Sequence, residues 1–159
     1  AQYHFSVFDL FDPTLLNRGI QCVGRLDQDT TGLRLLTDDG QFLQALTHPR
    51  KHVAKVYELI TANPITPEQI RLLEQGVELR NDGIFKASNI KQTSSNQLSL
   101  AIHQGVYHQV KRMLAAVGNK VEKLHRSKIG ELELPMLAEG EWTYLDQTQI
   151  ELAKSRMVP

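Results

Sequence analysis

The chain has little of what marks secreted or membrane-spanning proteins. Its 159 residues include one cysteine, Cys22. A single cysteine excludes an internal disulfide and a cysteine-based zinc site, and it fits a reducing cytoplasm. No apolar run reaches the roughly 18 residues that span a bilayer, so we expect no membrane partner. Because 41% of the residues are hydrophobic, the chain can nevertheless bury a core, and its length suits one domain.

The chain also has no net charge, which by itself argues mildly against a nucleic-acid partner. The charges are unevenly placed, however. Residues 101–130 carry six lysine or arginine side chains against one acid, Glu122, whereas residues 131–159 carry six acids against two bases. A basic segment of this length attracts a polyanion even in a neutral chain, although a solvated basic face explains it equally well.

Local patterns predict strands and helices without a repeated strand–helix–strand order. The segment Thr66-Pro67-Glu68-Gln69 is typical of a helix start, and that helix should end at Gly76. Residues 85–92 and 97–103 flank Ser94-Ser95-Asn96 and predict a hairpin. The spacing of apolar residues predicts the strongest helix over 105–117, ending at Gly118. We therefore expect an α+β fold with a largely antiparallel sheet.

The remaining segments are predicted more simply. Residues 24–32, GRLDQDTTG, form a polar loop that leads into a short buried strand, LRLLT. A short helix, QFLQALTHP, follows and stops at Pro49. Residues 120–134 predict one or two strands, and EWTYL at 141–145 predicts another.

The polar loop is the first candidate for chemistry. A carboxylate near a guanidinium, as in Arg25 beside Asp27, stays ionised and oriented, as a nucleophile needs to be. Asp27 and Asp29 could instead form an acid/base pair of the glycosidase type. A magnesium site that adds Asp38 and Asp39 is a weaker option, and a plain turn with an aspartate cap is the most common use of such a loop.

Two further groups combine polar and aromatic side chains. Lys55 and Tyr57 share one face of a predicted strand, where a phenol could stack on a base beside a cation, or the strand could simply lie at an edge. His108, Lys111 and Arg112 share one helix face, which is either a cationic surface for RNA or a solvated face. Three histidines without zinc-type spacing do not predict a metal site.

Taken together, these motifs resemble one family. G-R-L-D-x-x-T-x-G-L at 24–33, K-x-Y at 55–57, G-x-Y-H-Q-V-K-R-M at 105–113, L-H-R at 124–126 and I-G at 129–130 resemble the RsuA-type pseudouridine synthases, which include RluB, RluE and RluF. The resemblance runs from about residue 20 to 145. It implies the α+β pseudouridine-synthase catalytic fold over 1–159, without its first strand. It also implies that the S4-like RNA-binding domain that usually precedes this core is absent.

The resemblance assigns roles to particular residues. Asp27 corresponds to the catalytic nucleophile, and Tyr57 to the tyrosine that packs on the target uracil. Lys111 takes the place of the basic residue, arginine in many relatives, that pairs with the nucleophile. Leu124 would line the base pocket. The residues implied to contact RNA are Arg25, Lys55, His108, Arg112, Leu124 and Arg126. No cofactor and no metal are expected.

The implied function is isomerisation of a uridine in ribosomal RNA. The Tyr-His-Gln-Val-Lys-Arg-Met sequence is most similar to family members that act on 16S rRNA, which implies uridine 516 as the target. The expected partner is 16S rRNA or an assembling small ribosomal subunit, for a cytoplasmic monomer. The alternatives are a family member that acts on 23S rRNA, a non-catalytic RNA-binding module, and a nucleoside hydrolase that uses Asp27 and Asp29.

Overall fold

A mixed, mainly antiparallel sheet flanked by helices organises the computed structural model, which describes residues 7–24, 26–48, 53–106 and 108–155. The strands, in chain order, are β1 (Gln21–Cys22), β2 (Thr31–Gly32), β3 (Leu36–Thr37), β4 (Lys55–Thr61), β5 (Val77–Leu79), β6 (Gly83–Phe85), β7 (Ser88–Ser94), β8 (Gln97–Ile102), β9 (Val121–Ile129) and β10 (Leu132–Glu133). The helices are α1 (Pro13–Leu16), α2 (Gly40–Thr47), α3 (Pro67–Gln75), α4 (Gln109–Ala116) and α5 (Gln147–Ala153), after a short 3-10 helix at Val7–Leu10.

Six of the strands form the main sheet. Its order is β10-β9-β4-β8-β7, and β2 adds to β9 as its parallel partner. β4 is central and pairs antiparallel with β8 on one side and β9 on the other. The α+β fold class and the antiparallel character of the sheet are therefore confirmed. Among the described residues, no helix is long and apolar enough to cross a membrane.

Two clusters of buried side chains form the core. The first joins β4, β8, α3 and α4, and includes Leu59, Leu73, Leu100, Met113 and Leu114. The second joins the loop around β2 to α2, the end of β9, and α5. It includes Val23, Leu33, Leu35, Phe42, Leu46, Val53, Ile129 and Ala153. β9 contributes to both clusters, with Leu124 in the first and Ile129 in the second, and β4, which pairs with it, contributes Tyr57 and Leu59 to the first.

The helices predicted from local signals are present, with shifted ends. The capping box of α3 forms as expected: the backbone N–H of Gln69 donates to Thr66 Oγ1 at 3.1 Å, and that of Thr66 donates to Gln69 Oε1 at 3.2 Å. α4 begins at Gln109, four residues later than predicted. Its predicted buried stripe is confirmed, because Val110, Met113 and Leu114 are buried.

Two strand predictions are wrong in extent. Residues 141–145 form no strand. Their aromatic residues instead stack outside the sheet, with Trp142 5.1 Å from Phe11 and 5.2 Å from Tyr144 between ring centroids. Of the apolar segment 33–37, only β3 pairs with another strand, although Leu33 and Leu35 are buried as expected. The predicted stop at Pro49 lies outside the described residues.

Candidate active site

The polar loop is held against the sheet by its backbone. The N–H of Thr30 donates to the Asp27 carbonyl at 2.9 Å, which closes a turn directly before β2. β2 then lies so close to β9 that a Cβ on Gly32 would stand 2.1 Å from the Arg126 carbonyl oxygen. Only glycine permits this approach, particularly at φ +113°. The contact fixes where the Asp27 side chain leaves the loop.

Arg126 secures the same junction from inside the protein. Its side chain is 1% exposed, and its Nε donates to the Leu33 carbonyl at 2.9 Å. The Leu33 N–H donates in return to the Arg126 carbonyl at 2.8 Å. The prediction that Arg126 contacts an RNA phosphate is therefore wrong, because a guanidinium at this depth cannot reach a polyanion outside the fold.

The start of α4 brings two basic side chains to Asp27. His108 Nε2 lies 3.5 Å from Asp27 Oδ1, and Lys111 Nζ lies 3.4 Å from Asp27 Oδ2. His108 adopts a left-handed backbone conformation with φ 50°, uncommon for a residue other than glycine, immediately before the helix. The Asp27 side chain is 19% exposed, so the carboxylate lies at a rim and is not sealed in the core.

Lys111 also binds a second carboxylate. Its Nζ donates to Asp29 Oδ1 at 2.6 Å, closer than its contact with Asp27. Burial alone would lower the pKa of Lys111, but the hydrogen bond to Asp29 and the attraction of both acids outweigh burial and raise it. The same hydrogen bond from Lys111 holds the pKa of the Asp29 carboxyl below its usual range.

A cavity of about 490 Å³ opens beside Asp27. Tyr57 on β4 and Leu124 on β9, both buried, belong to its lining, as do His108 and Lys55. The rest of its wall combines apolar side chains from both core clusters with polar ones, among them Thr30, His48, His103 and Gln109. A ring and an aliphatic side chain in a cavity that also holds a carboxylate suit a planar base, whose faces pack on them while its edge carries polar groups.

Lys55 differs from the other cations of the cavity. None of the ion pairs among the residues that the structure describes includes it. Burial of its ammonium, together with repulsion from Arg126, lowers its pKa to about 8. The amine is therefore held in the cavity at an electrostatic cost.

Other residues predicted for the site lie elsewhere. Arg112 points towards the β5–β6 turn, where its guanidinium donates to Asp82 at 2.8 Å and to the Arg80 carbonyl at 3.0 Å. It does not belong to the cavity lining. Arg25 and Tyr107, the latter part of the 105–113 motif, lie outside the described residues.

The geometry disfavours the other chemistries that the sequence left open. Asp29 is 77% exposed and its pKa is lowered, whereas the acid of a glycosidase pair needs a raised pKa. The four aspartates do not converge as magnesium ligands, because Asp38 binds Arg18 and Asp39 caps α2. Within the part of the chain that the structure describes, no three histidine, cysteine, aspartate or glutamate side chains form a metal cluster.

Sequence reasoning missed two contacts at this site. It did not anticipate the tight pair between Lys111 and Asp29, and it assigned His108 to RNA without placing it beside Asp27. The two-residue spacing of the aspartates in the loop was the available signal, since both carboxylates can then approach one cation. The contact of His108 depends on its left-handed backbone conformation, for which the local sequence offers no signal.

Fold and site together define the class of this protein. The family model for RNA pseudouridylate synthase matches residues 5–116. The chain belongs to this family.

Particular relatives share substantial sequence identity with the chain. The chain is 42% identical over 153 residues to the ribosomal small subunit pseudouridine synthase A of Vibrio vulnificus, covering 94% of this chain and 65% of that protein. It is 42% identical over 133 residues to the protein of the same name from Escherichia coli, covering 82% and 58%. A crystal structure described as a pseudouridylate synthase superposes with a TM-score of 0.88 at 41% identity, covering 93% of this chain and 65% of that one. The chain thus spans about two thirds or less of the length of these relatives.

Proposed function

We propose that this chain isomerises uridine to pseudouridine in small-subunit ribosomal RNA, with Asp27 as the nucleophile. The observation that carries the proposal is that Asp27 stands at the rim of a cavity lined by Tyr57 and Leu124 and is paired with Lys111. Membership of the family and the names of the most similar relatives support the reaction and the RNA class.

The chemistry follows from the geometry. A uridine turned out of its stack enters the slot between Tyr57 and Leu124, which offsets the few kcal/mol lost on unstacking. The Asp27 carboxylate, which lies 3.4 Å from Lys111 Nζ and 3.5 Å from His108 Nε2, acts on the ribose as the N1–C1′ bond breaks. The slot retains the detached base until C5 bonds to C1′. No redox step or group donor is needed for this isomerisation.

The test measures tritium release from small-subunit rRNA labelled at uracil C5, because the C5 proton is lost only when pseudouridine forms. Asp27→Asn should lower the rate by about 10³-fold or more, since an amide cannot replace the carboxylate. Asp38→Asn, a surface aspartate bound to Arg18, serves as the control and should retain the wild-type rate. Equal rates for wild type and Asp27→Asn would refute the nucleophile assignment.

We propose uridine 516 of 16S rRNA as the target, which the motif resemblance implies, either in the free RNA or in an assembling subunit; the names of the relatives support the small-subunit RNA class. We infer a monomer that works in the cytoplasm. Mapping pseudouridine in rRNA from cells that lack the protein tests the target: a missing modification in 16S rRNA supports it. A missing modification in 23S rRNA would instead assign the chain to a large-subunit activity.

A further inference from the structure

Among the residues that the structure describes, Lys55 is the only lysine that lines the cavity, and the ion pairs of Asp27 do not involve it. Lys111 and His108 already face the carboxylate, whereas no carboxylate among the described residues lies within ion-pair distance of Lys55. Its ammonium lies against Gly105, where an added Cβ would stand 3.7 Å from Nζ. That distance is an ordinary van der Waals contact, so the Lys55 amine lies directly beside the backbone of residue 105.

The position of Lys55 in the sheet explains why it is buried. Its backbone pairs with Ile102 on β8 and Ile129 on β9, and these two residues belong to the first and second core clusters respectively. The side chain therefore enters the space where the two clusters meet. An unpaired ammonium in such surroundings destabilises a fold unless a ligand compensates it.

The neighbour two residues along β4 suggests that ligand. Tyr57 also lines the cavity, and alternate residues of a strand lie roughly 7 Å apart. A base that packs on the Tyr57 ring therefore has its polar edge within reach of the Lys55 side chain. Phosphates, which stay hydrated, are a poorer match for a buried ammonium.

We propose that Lys55 is a catalytic residue that donates a hydrogen bond to a carbonyl oxygen of the uracil and stabilises the negative charge on the detached base. The inference rests on the proposed function. When the N1–C1′ bond breaks, the electron pair remains on the base and the charge spreads onto O2 and O4. Asp27 bonds to C1′ in that step. C5 then bonds to C1′ as the Asp27–C1′ bond breaks and restores the carboxylate, the C5 proton passes to water, and N1 takes a proton from water. Lys55 keeps its proton throughout.

This role predicts a characteristic pH dependence. The groups that line the cavity with Lys55 are Asp27, His48, Tyr57, His103 and His108, and Arg126 acts on it from β9. Because the ammonium of the free protein has a pKa of about 8, kcat/KM should fall as the pH rises above that value. An arginine at 55 stays charged and should remove this alkaline fall.

The experiment compares Lys55→Met, Lys55→Arg and Lys91→Met in the full chain. Lys91 is exposed on β7 and serves as the matched control. Lys55→Met should slow single-turnover tritium release at saturating RNA by about 100-fold, the usual effect of losing one charge-stabilising donor. The RNA dissociation constant of Lys55→Met should change by less than about threefold. Its melting temperature should rise, whereas loss of a side chain with a merely structural role would lower the melting temperature.

Each contrary outcome has a definite meaning. Weaker RNA binding with a normal rate at saturation would make Lys55 a phosphate contact and overturn the proposal. Unchanged kinetics in Lys55→Met would overturn it as well. If Lys55→Met fails to fold, the test uses Lys55→Arg instead. If kcat/KM of Lys55→Arg still falls above pH 8, the proposed role of Lys55 is refuted. If wild type and Lys91→Met release no tritium, the proposed function itself fails.

Discussion

The two lysines at the site, Lys111 and Lys55, occupy opposite electrostatic environments. Lys111 comes from α4 and touches two carboxylates, so its pKa is raised. Lys55 comes from β4 and touches none among the described residues, and burial lowers its pKa to about 8. One residue type therefore serves two purposes. A compensated cation holds a protein carboxylate in place, whereas an uncompensated one is available to a ligand.

The origin of each environment lies in the fold. Lys111 projects from the first turn of a helix towards a loop that carries two aspartates, so acids surround it. Lys55 projects from the central strand, where the sheet neighbours on both sides are isoleucines. Central strands are surrounded by apolar residues, and a charge placed there lacks partners unless a ligand supplies them.

The largest effect is expected from removing the compensated cation. Lys111→Met leaves Asp27 with His108 alone and should lower single-turnover tritium release by about 10²- to 10³-fold. Lys111→Arg keeps the charge and should recover most of the rate, measured in the same assay. Equal damage from both variants would show that the shape of the lysine, not its charge, matters here.

An intermediate effect is expected on stability at Lys55. The pKa of Lys55 is about 8 in the folded protein, below the usual value of 10.5. The charged amine therefore destabilises the folded state fully below pH 8, and this destabilisation is lost as the pH rises from about 8 to 10.5. Lys55→Met should therefore raise the free energy of unfolding at pH 7 by about 1–3 kcal/mol.

Urea unfolding at pH 7 and pH 9.5 measures this gain. The advantage of Lys55→Met over wild type should be smaller at the higher pH, because the wild-type amine is then largely neutral in the folded state. A constant difference at both values would mean that packing, rather than charge, separates the two proteins. The Lys91→Met protein should match wild type at both.

The smallest effect is expected at Asp29. Its side chain is 77% exposed, so its pair with Lys111 is screened by solvent and should contribute under about 1 kcal/mol. Because the pKa of Asp29 is lowered, this contribution is present at neutral pH and lost as the pH falls through the acidic range. Asp29→Asn should retain tritium release within about fivefold of wild type. If Asp29→Asn lowered the rate of tritium release as much as Asp27→Asn does, this would support the alternative in which Asp27 and Asp29 act as an acid/base pair.

Much of the fold was predictable because its signals are local. The Thr66–Gln69 capping box, the hairpin of β7 and β8 and the buried stripe of α4 each depend on residues close together in sequence. The predicted strand at 141–145 failed for a related reason. Its residues have strand propensity, but a strand exists only where another strand can pair with it.

The site was predictable in part. The motifs indicated Asp27, Tyr57 and Lys111, and the structure places the first two on one cavity and the third within ion-pair distance of Asp27. The assignment of Arg126 to RNA failed because sequence shows a charge without its depth. The motif resemblance also assigned Lys55 to RNA contact, but it could not show that no carboxylate among the described residues forms an ion pair with Lys55.

The sequence alone determined which residues could carry the chemistry, because acids, bases and aromatics at fixed spacings restrict what a loop, strand or helix can present. Only the tertiary structure decided which charge meets which partner. The parallel contact of β2 with β9 at Gly32 holds the Asp27 loop against the sheet beside the buried Arg126, and the pairing of β4 places Lys55 between Ile102 and Ile129. Charges separated by many residues interact through distance and burial, and both arise only when the chain has folded.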